Sequence, residues 1–405
     1  MLFLLFMYMF ACQIQQLITT APIHTQKKET KIPAIRKLLF PNDDRKDHFK
    51  ALDGIRGLAV LLVVLSHASL DKMYLIPGLD VSGMGRIGVF LFFVLSAYLL
   101  DRQIIVGFVN GRANSRFWAN YFLRRFLRIY PLYILALLIF YGSYKMGFQS
   151  PIHDMATIWR HLTLQEGLGI FWSIAVEFKY YFISPLIMAF CHYALKWDLK
   201  KVTIFIVVLI GLSIFLQAKY LHGNITDEGG KGGHNNISLI TFLPIFLTGT
   251  LLSIYEVILE KTRNLKAFKS KPLEYAGLIC FGFILLSTPA LFSSLFLQEG
   301  QKYFLADSAF FFPYAIIWSV VLLATKYGGL NILKKFFEVT AMRFLGIVSF
   351  SMYLFHLIPL KIVSQPQLHI PHSLQIYVFL LLTCIISFFS YVLIERQLQK
   401  VRVKY

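Results

Sequence analysis

Arg56 and His67 lie eleven residues apart in the apolar run Ala51-Leu-Asp-Gly-Ile-Arg-Gly-Leu-Ala-Val-Leu-Leu-Val-Val-Leu-Ser-His67. A helix turns about 100° per residue, so the two fall within roughly 20° of one face, about 16 Å apart along the axis. Asp53, three residues before Arg56, can pair with it. A second run, Ile170–Ser184, puts Ser173, Glu177, Tyr181 and Ser184 on one face. A third aligns Ser349, Tyr353 and His356. By helix rise from the run boundaries, His67 and His356 lie about 21 Å deep from one side and Glu177 about 10 Å from the other. In a hydrocarbon core about 30 Å thick these depths approach one level. Ionisable groups at that depth are costly and mark proton relays, ion paths or reaction centres. An anchoring arginine and a core histidine bonded to nearby backbone is the plainer alternative for the first pair.

The run Arg116-Phe-Trp-Ala-Asn-Tyr-Phe-Leu-Arg124-Arg125-Phe-Leu-Arg128-Ile-Tyr-Pro131 is a different kind of signal. Guanidiniums keep their charge and offer planar bidentate donors, which suits phosphate. Such a run also serves as a basic anchor against lipid headgroups.

The elements that must position these groups follow from composition. The 405 residues are 57% hydrophobic and only 15% charged, with mean hydropathy +0.62. That excludes a disordered tail protein, a secreted disulfide scaffold and an ordinary soluble enzyme. Cys12, Cys191, Cys280 and Cys384 all sit in apolar runs and form no CxxC pair. Apolar runs long enough to span recur at about 51–70, 85–103, 129–148, 170–193, 202–218, 237–258, 274–297, 306–325, 342–364 and 373–394. Backbone polar groups have no partners in lipid, so the spans are helices. The expected fold is therefore all-α: a polytopic membrane protein of about ten transmembrane helices. Its segments are 1–47, hydrophobic then basic; 48–396, transmembrane; and 397–405, a basic tail. Of the 40 Lys and Arg, 30 fall in the two end segments and the even-numbered gaps, and eight in the opposite gaps. This asymmetry puts both ends in the cytoplasm. The net charge of +19 thereby reads as topology and not as a nucleic-acid surface.

Five motifs in order resemble the acyltransferase-3 family of integral membrane proteins. They are LDGIRGLAVLLVVLSHA around Arg56 and His67, Gly88–Leu99 (GVFLFFVLSAYL), Arg124-Arg125-x-x-Arg128-Ile-Tyr-Pro131, Phe171-Trp172-Ser173-Ile-Ala-Val-Glu177, and Leu345–His356 (LGIVSFSMYLFH). The likeness runs from about residue 48 to 396. Ala97 stands where the family usually has Gly, and Gln397 where it often has Pro. The chain resembles the stand-alone form, without an esterase-like domain after the membrane part.

The resemblance implies transfer of an acyl group, usually acetyl from cytoplasmic acetyl-CoA, to a hydroxyl of a surface carbohydrate. O-antigen, exopolysaccharide, peptidoglycan or another lipid-linked glycan are the expected acceptors, in a cell inner membrane. On that reading Arg56, Arg124, Arg125 and Arg128 hold the cofactor's phosphates. His67 serves as base or as a covalently acylated nucleophile. Glu177 orients it or stabilises its imidazolium, and His356 positions the thioester or acts as a second base. Ser173 and Tyr353 face the substrate, and no metal is required. A transporter or flippase with a His/Glu proton relay is the rival of a different class.

Weaker features complete the reading. Residues 1–20 are an extra hydrophobic segment, with a signal peptide as the lesser alternative. His222, Asp227, Glu228 and His234 lie in a glycine-rich loop better read as flexible than as a metal site. Asn224-Ile-Thr226 is a sequon by pattern only. Lys179 receives no role.

Overall fold

The computed structural model describes residues 40, 48–220, 237–262, 269–288 and 311–399. The segments 1–39 and 400–405, and the loop carrying His222, Asn224, Asp227, Glu228 and His234, lie outside the described residues. Within them the chain is helical, without a strand; Ser270 and Gly328 form one isolated bridge. The helices are α1 (Ala51–Leu70), α2 (Met84–Val109), α3 (Ser115–Lys145), α4 (Met155–Leu162), α5 (Trp172–Tyr193), α6 (Leu199–Tyr220) and α7 (Leu239–Thr262). They continue with α8 (Lys271–Leu286), α9 (Phe311–Tyr327), α10 (Ile332–Phe337), α11 (Thr340–Ile347), α12 (Ser349–Phe355), α13 (Leu357–Val363), α14 (His372–Ser390) and α15 (Arg396–Gln399). A π-helical turn at Tyr391–Glu395 joins α14 to α15.

Seven helical stretches are long and apolar enough to cross a bilayer: α1, α2, α3, the stretch Gly169–Tyr193, α6, α7 and His372–Leu398. Seven of the ten expected spans are thus met as single long apolar helices among the described residues. The run at 274–297 is helical to Leu286 and then leaves them, and α9 is a shorter apolar helix. The run at 342–364 breaks into α11, α12 and α13. Pro359 has no N–H for the Phe355 carbonyl and its ring crowds that oxygen, so the helix is interrupted one residue later, at His356. The basic run differs too. It lies in a gap between apolar runs yet belongs to the helix, because Asn114 caps Phe117 N–H and no breaker precedes Pro131. At 31 residues α3 is about 46 Å long, longer than the hydrocarbon core, so one end must project beyond it.

The chain divides into two compact units. The first holds 1–88, 270–298 and 321–393; the second holds 89–269, 299–320 and 394–405.

In the first unit α1 lies along α11, with α10 and α12 beside it. The approach is backbone to backbone. A Cβ on Gly54 would lie 1.8 Å from the Phe337 carbonyl oxygen, one on Gly57 2.0 Å from that of Met342, and one on Gly346 1.6 Å from that of Asp53. Only hydrogen fits at these crossings, which is how helices gain dispersion contact where lipid provides no hydrophobic drive. Glu274 of α8 is fully buried and accepts hydrogen bonds from the backbone N–H groups of Leu330, Asn331, Ile332 and Leu333. One carboxylate thus satisfies the orphan donors at the start of α10.

In the second unit α5 and α6 both pack on α7, and α3 carries α4. The core is aromatic: the Phe246 ring stacks on Tyr180 at 4.2 Å and on Phe93 at 4.5 Å between centroids.

Candidate active site

The first unit brings His67 and His356 together. Their rings are 4.9 Å apart, with His356 Nε2 3.3 Å from His67 Nδ1. Neighbouring carbonyls fix the tautomers, since a carbonyl oxygen can only accept. His67 Nδ1 lies 2.9 Å from the Val63 oxygen, so Nδ1 carries the hydrogen. His356 Nδ1 lies 2.8 Å from the Tyr353 oxygen and 3.2 Å from that of Met352, so it too is the N–H. The neutral His356 Nε2 is then a lone pair facing His67 Nδ1–H. His67 Nε2 is left as the lone pair that neither carbonyl nor His356 engages. His356 is fully buried and His67 half-buried. Tyr353 is buried with its ring centroid 6.2 Å from that of His356, and Ser349 is buried on the same helix.

Between Asp53 and Ser69 every residue of α1 is buried except Arg56 and His67. The two residues that spacing puts on one face are the two that remain open. At the start of α1, Asp53 gathers three basic side chains: His48 Nε2 at 2.8 Å, Arg343 at 3.7 Å and Arg56 at 3.8 Å. Arg343, whose guanidinium lies 4.5 Å over the Phe40 ring, has no place in the sequence reading, because only the fold brings α11 to α1.

The second unit holds Glu177 and the arginine run. Glu177 Oε1 accepts hydrogen bonds from Ser96 Oγ and, at 2.6 Å, from Tyr181 Oη. The face expected from spacing divides. Tyr181 meets Glu177, but Ser184 turns to Asp101, and Ser173 is buried with its hydroxyl 3.4 Å from the Ile170 oxygen. The three arginines are not equivalent. Arg124 is exposed and Arg128 half-buried. Arg125 donates to Gln103 Oε1 at 2.8 Å and lies 5.7 and 5.9 Å from the Tyr121 and Tyr181 ring centroids. Lys179 Nζ donates to the Ile237 carbonyl, a structural use.

The approach to α5 is held by His161 of α4. Its Nδ1–H donates to the Thr157 oxygen at 2.8 Å, and its Nε2 accepts Leu168 N–H at 2.9 Å. Burial pushes this imidazole below its usual range, consistent with a neutral ring.

Sequence reasoning passed over Asp101. This fully buried carboxylate of α2 accepts hydrogen bonds from Tyr180 Oη at 2.7 Å, Thr250 Oγ1 at 2.6 Å and Ser184 Oγ. The signal was an acid inside an apolar run, the same rule that singled out Glu177. Nearby, Glu256 accepts from Tyr98 Oη, and Arg102 pairs with Glu260 at 2.9 Å. No group of three or more potential metal ligands occurs among the described residues.

Comparison with known proteins places this geometry in context. A profile described as an acyltransferase domain, that of the acyltransferase-3 family, matches residues 49–395. Over 385 residues the chain is 23% identical to the peptidoglycan O-acetyltransferase OatA of Listeria monocytogenes, covering 88% of this chain and 56% of that protein. It is 25% identical over 380 residues to the O-acetyltransferase OatA of Staphylococcus aureus, covering 87% and 57%. The putative peptidoglycan O-acetyltransferase YrhL of Bacillus subtilis is 22% identical over 375 residues, with 87% and 55% covered. The chain spans little more than half the length of these relatives. No solved structure matches it.

Proposed function

The chain belongs to the acyltransferase-3 family, and from that premise we propose that it is a membrane O-acyltransferase. The acyl group is acetyl, taken from acetyl-CoA, and the acceptor is a hydroxyl of a cell-surface carbohydrate. Peptidoglycan is the acceptor class named for two of its relatives. The charge asymmetry of the loops argues for a donor on the cytoplasmic side, and the membrane is assigned as a cell inner membrane.

The observation that carries the reading is the open stripe of α1: a guanidinium and an unengaged imidazole nitrogen on an otherwise buried helix. His67 Nε2 takes the proton of the acceptor hydroxyl as its oxygen attacks the thioester carbonyl. The C–S bond breaks, the new C–O ester bond forms, and the proton passes from the imidazolium to the departing thiolate. His67 Nδ1–H stays bonded to the Val63 oxygen and His356 Nε2, which holds the ring in the tautomer the step needs. His356 is thus a positioning residue for His67. A general base of this kind contributes about 10²–10⁴ in rate. Glu177, in the second unit, is assigned a part in the transfer.

Arg124, Arg125 and Arg128 are assigned to the donor's phosphates, and Arg56, in the first unit, is assigned the same class of contact. The exposed Arg124 and its i+4 neighbour Arg128 make the first contacts, while the more enclosed Arg125 contributes charge from among Tyr121, Tyr181 and Gln103.

Acetyl-CoA should raise the melting temperature of the purified protein, and Arg124→Ala with Arg128→Ala should abolish that shift. Mass spectrometry of surface glycans should show acetylated species that vanish when the gene is removed. An undiminished shift in the double variant would remove the phosphate assignment, and unchanged glycans would remove the activity.

A further inference from the structure

In the second unit, two hydroxyls converge on one oxygen of Glu177. Ser96 Oγ, from α2, and Tyr181 Oη, one turn along α5, both donate to Oε1, and the two hydroxyl oxygens are 3.2 Å apart. Oε2 takes no hydrogen bond from any described residue, and Glu177 is half-buried. A carboxylate used only to satisfy the fold would be engaged at both oxygens, as Asp101 is through Ser184 on one and Tyr180 and Thr250 on the other. Glu274 is likewise bonded at both.

Tyr181 is itself fixed. Its carbonyl accepts Tyr121 Oη at 2.9 Å, and its ring lies beside Arg125. Ser96 is one residue before Ala97, where α2 meets α7 closely: a Cβ on Gly249 would lie 3.1 Å from that of Ala97. Both donors therefore come from well-packed positions.

We propose that Ser96 and Tyr181 are positioning residues that clamp Glu177 through Oε1 and leave Oε2 as the oxygen that acts during acyl transfer. The proposal rests on the reading that Glu177 takes part in transfer. Charge stabilises a transition state only when it is held in place beforehand, so a carboxylate free to rotate loses part of its effect. The clamp removes that freedom without occupying the working oxygen.

The test uses the full chain reconstituted in liposomes with acetyl-CoA and a soluble glycan acceptor. Tyr181→Phe and Ser96→Ala should each lower kcat about tenfold, with KM for acetyl-CoA within about twofold of wild type, as expected for a term expressed only in the transition state. Ser96→Thr, which keeps the hydroxyl, should recover most of the rate. Normal kcat in both deletion variants beside an inactive Glu177→Gln would overturn the clamp while sparing the role of Glu177. Full activity of Glu177→Gln would instead overturn that role. A parallel rise in KM and fall in melting temperature, unrelieved by Ser96→Thr, would mark general damage and also overturn the proposal. Should Ser96→Ala fail to fold, Tyr181→Phe alone decides.

Discussion

His67 and His356 of the first unit and Asp101 and Glu177 of the second solve the same problem by opposite means. Each is a polar group set inside apolar helices, where an unpaired one is costly. The first unit satisfies its histidines locally: His67 and His356 each donate Nδ1–H to a carbonyl three or four residues back on the same chain. The second satisfies its carboxylates across helices: Asp101 of α2 binds hydroxyls of α5 and α7, and Glu177 of α5 binds one of α2. At His67, local bonding leaves the far nitrogen free for chemistry and ties the tautomer to one helix. Cross-helix bonding at both oxygens makes Asp101 a fastener, whereas Glu177 is held at Oε1 alone. Reactive and fastening groups can therefore be told apart by which atoms their partners leave unengaged.

The largest effect expected from breaking the comparison lies in the first unit, at the glycine seam. Gly346→Val should cost about 3 kcal/mol or more, since the obstacle to its side chain is the Asp53 carbonyl, 1.6 Å from the new Cβ. Expression and melting temperature read this out. A variant as stable as wild type would mean that α1 and α11 do not meet as described. In the second unit, Thr250→Val removes one of the hydroxyls on Asp101 and should cost about 1–3 kcal/mol without the collapse of the seam variant. Chemical denaturation measures it, and no loss would deny Asp101 its fastening role.

The smallest effect is in pH. His161 is buried and held neutral in the fold, so the unfolded chain binds its proton more readily. The stability it contributes is complete above about 6.5, its ordinary pKa, and declines as the pH falls below that. His161→Gln should flatten this part of the pH–melting profile. An unchanged slope would mean that the ring is not held neutral between Thr157 and Leu168.

Much of the site was legible from spacing and depth. His67 and His356, 289 residues apart, could be put at one level because both sit at countable positions in apolar runs, and their rings do meet. The open stripe of Arg56 and His67 likewise followed from helical geometry. What escaped needed a neighbour to be seen. Gly54, Gly57 and Gly346 are blank in a hydropathy reading and gain meaning only against the carbonyls they admit. Arg343 lay in an expected gap, and its approach to Asp53 depends on the break of one long run into α11, α12 and α13. Asp101 was readable by the rule applied to Glu177 but stood near a span boundary. The arginine run fell in a gap between two apolar runs, and its polarity hid that it continues the helix that Asn114 caps.

The central claim is that His67 takes the proton from the acceptor hydroxyl. In liposomes carrying the full chain, the decisive quantity is the rate of ester formation from labelled acetyl-CoA by His67→Ala, with CoA binding followed in the same sample. The account predicts that binding persists while transfer falls by at least about 10². Transfer at the wild-type rate in a variant that still binds CoA would contradict it.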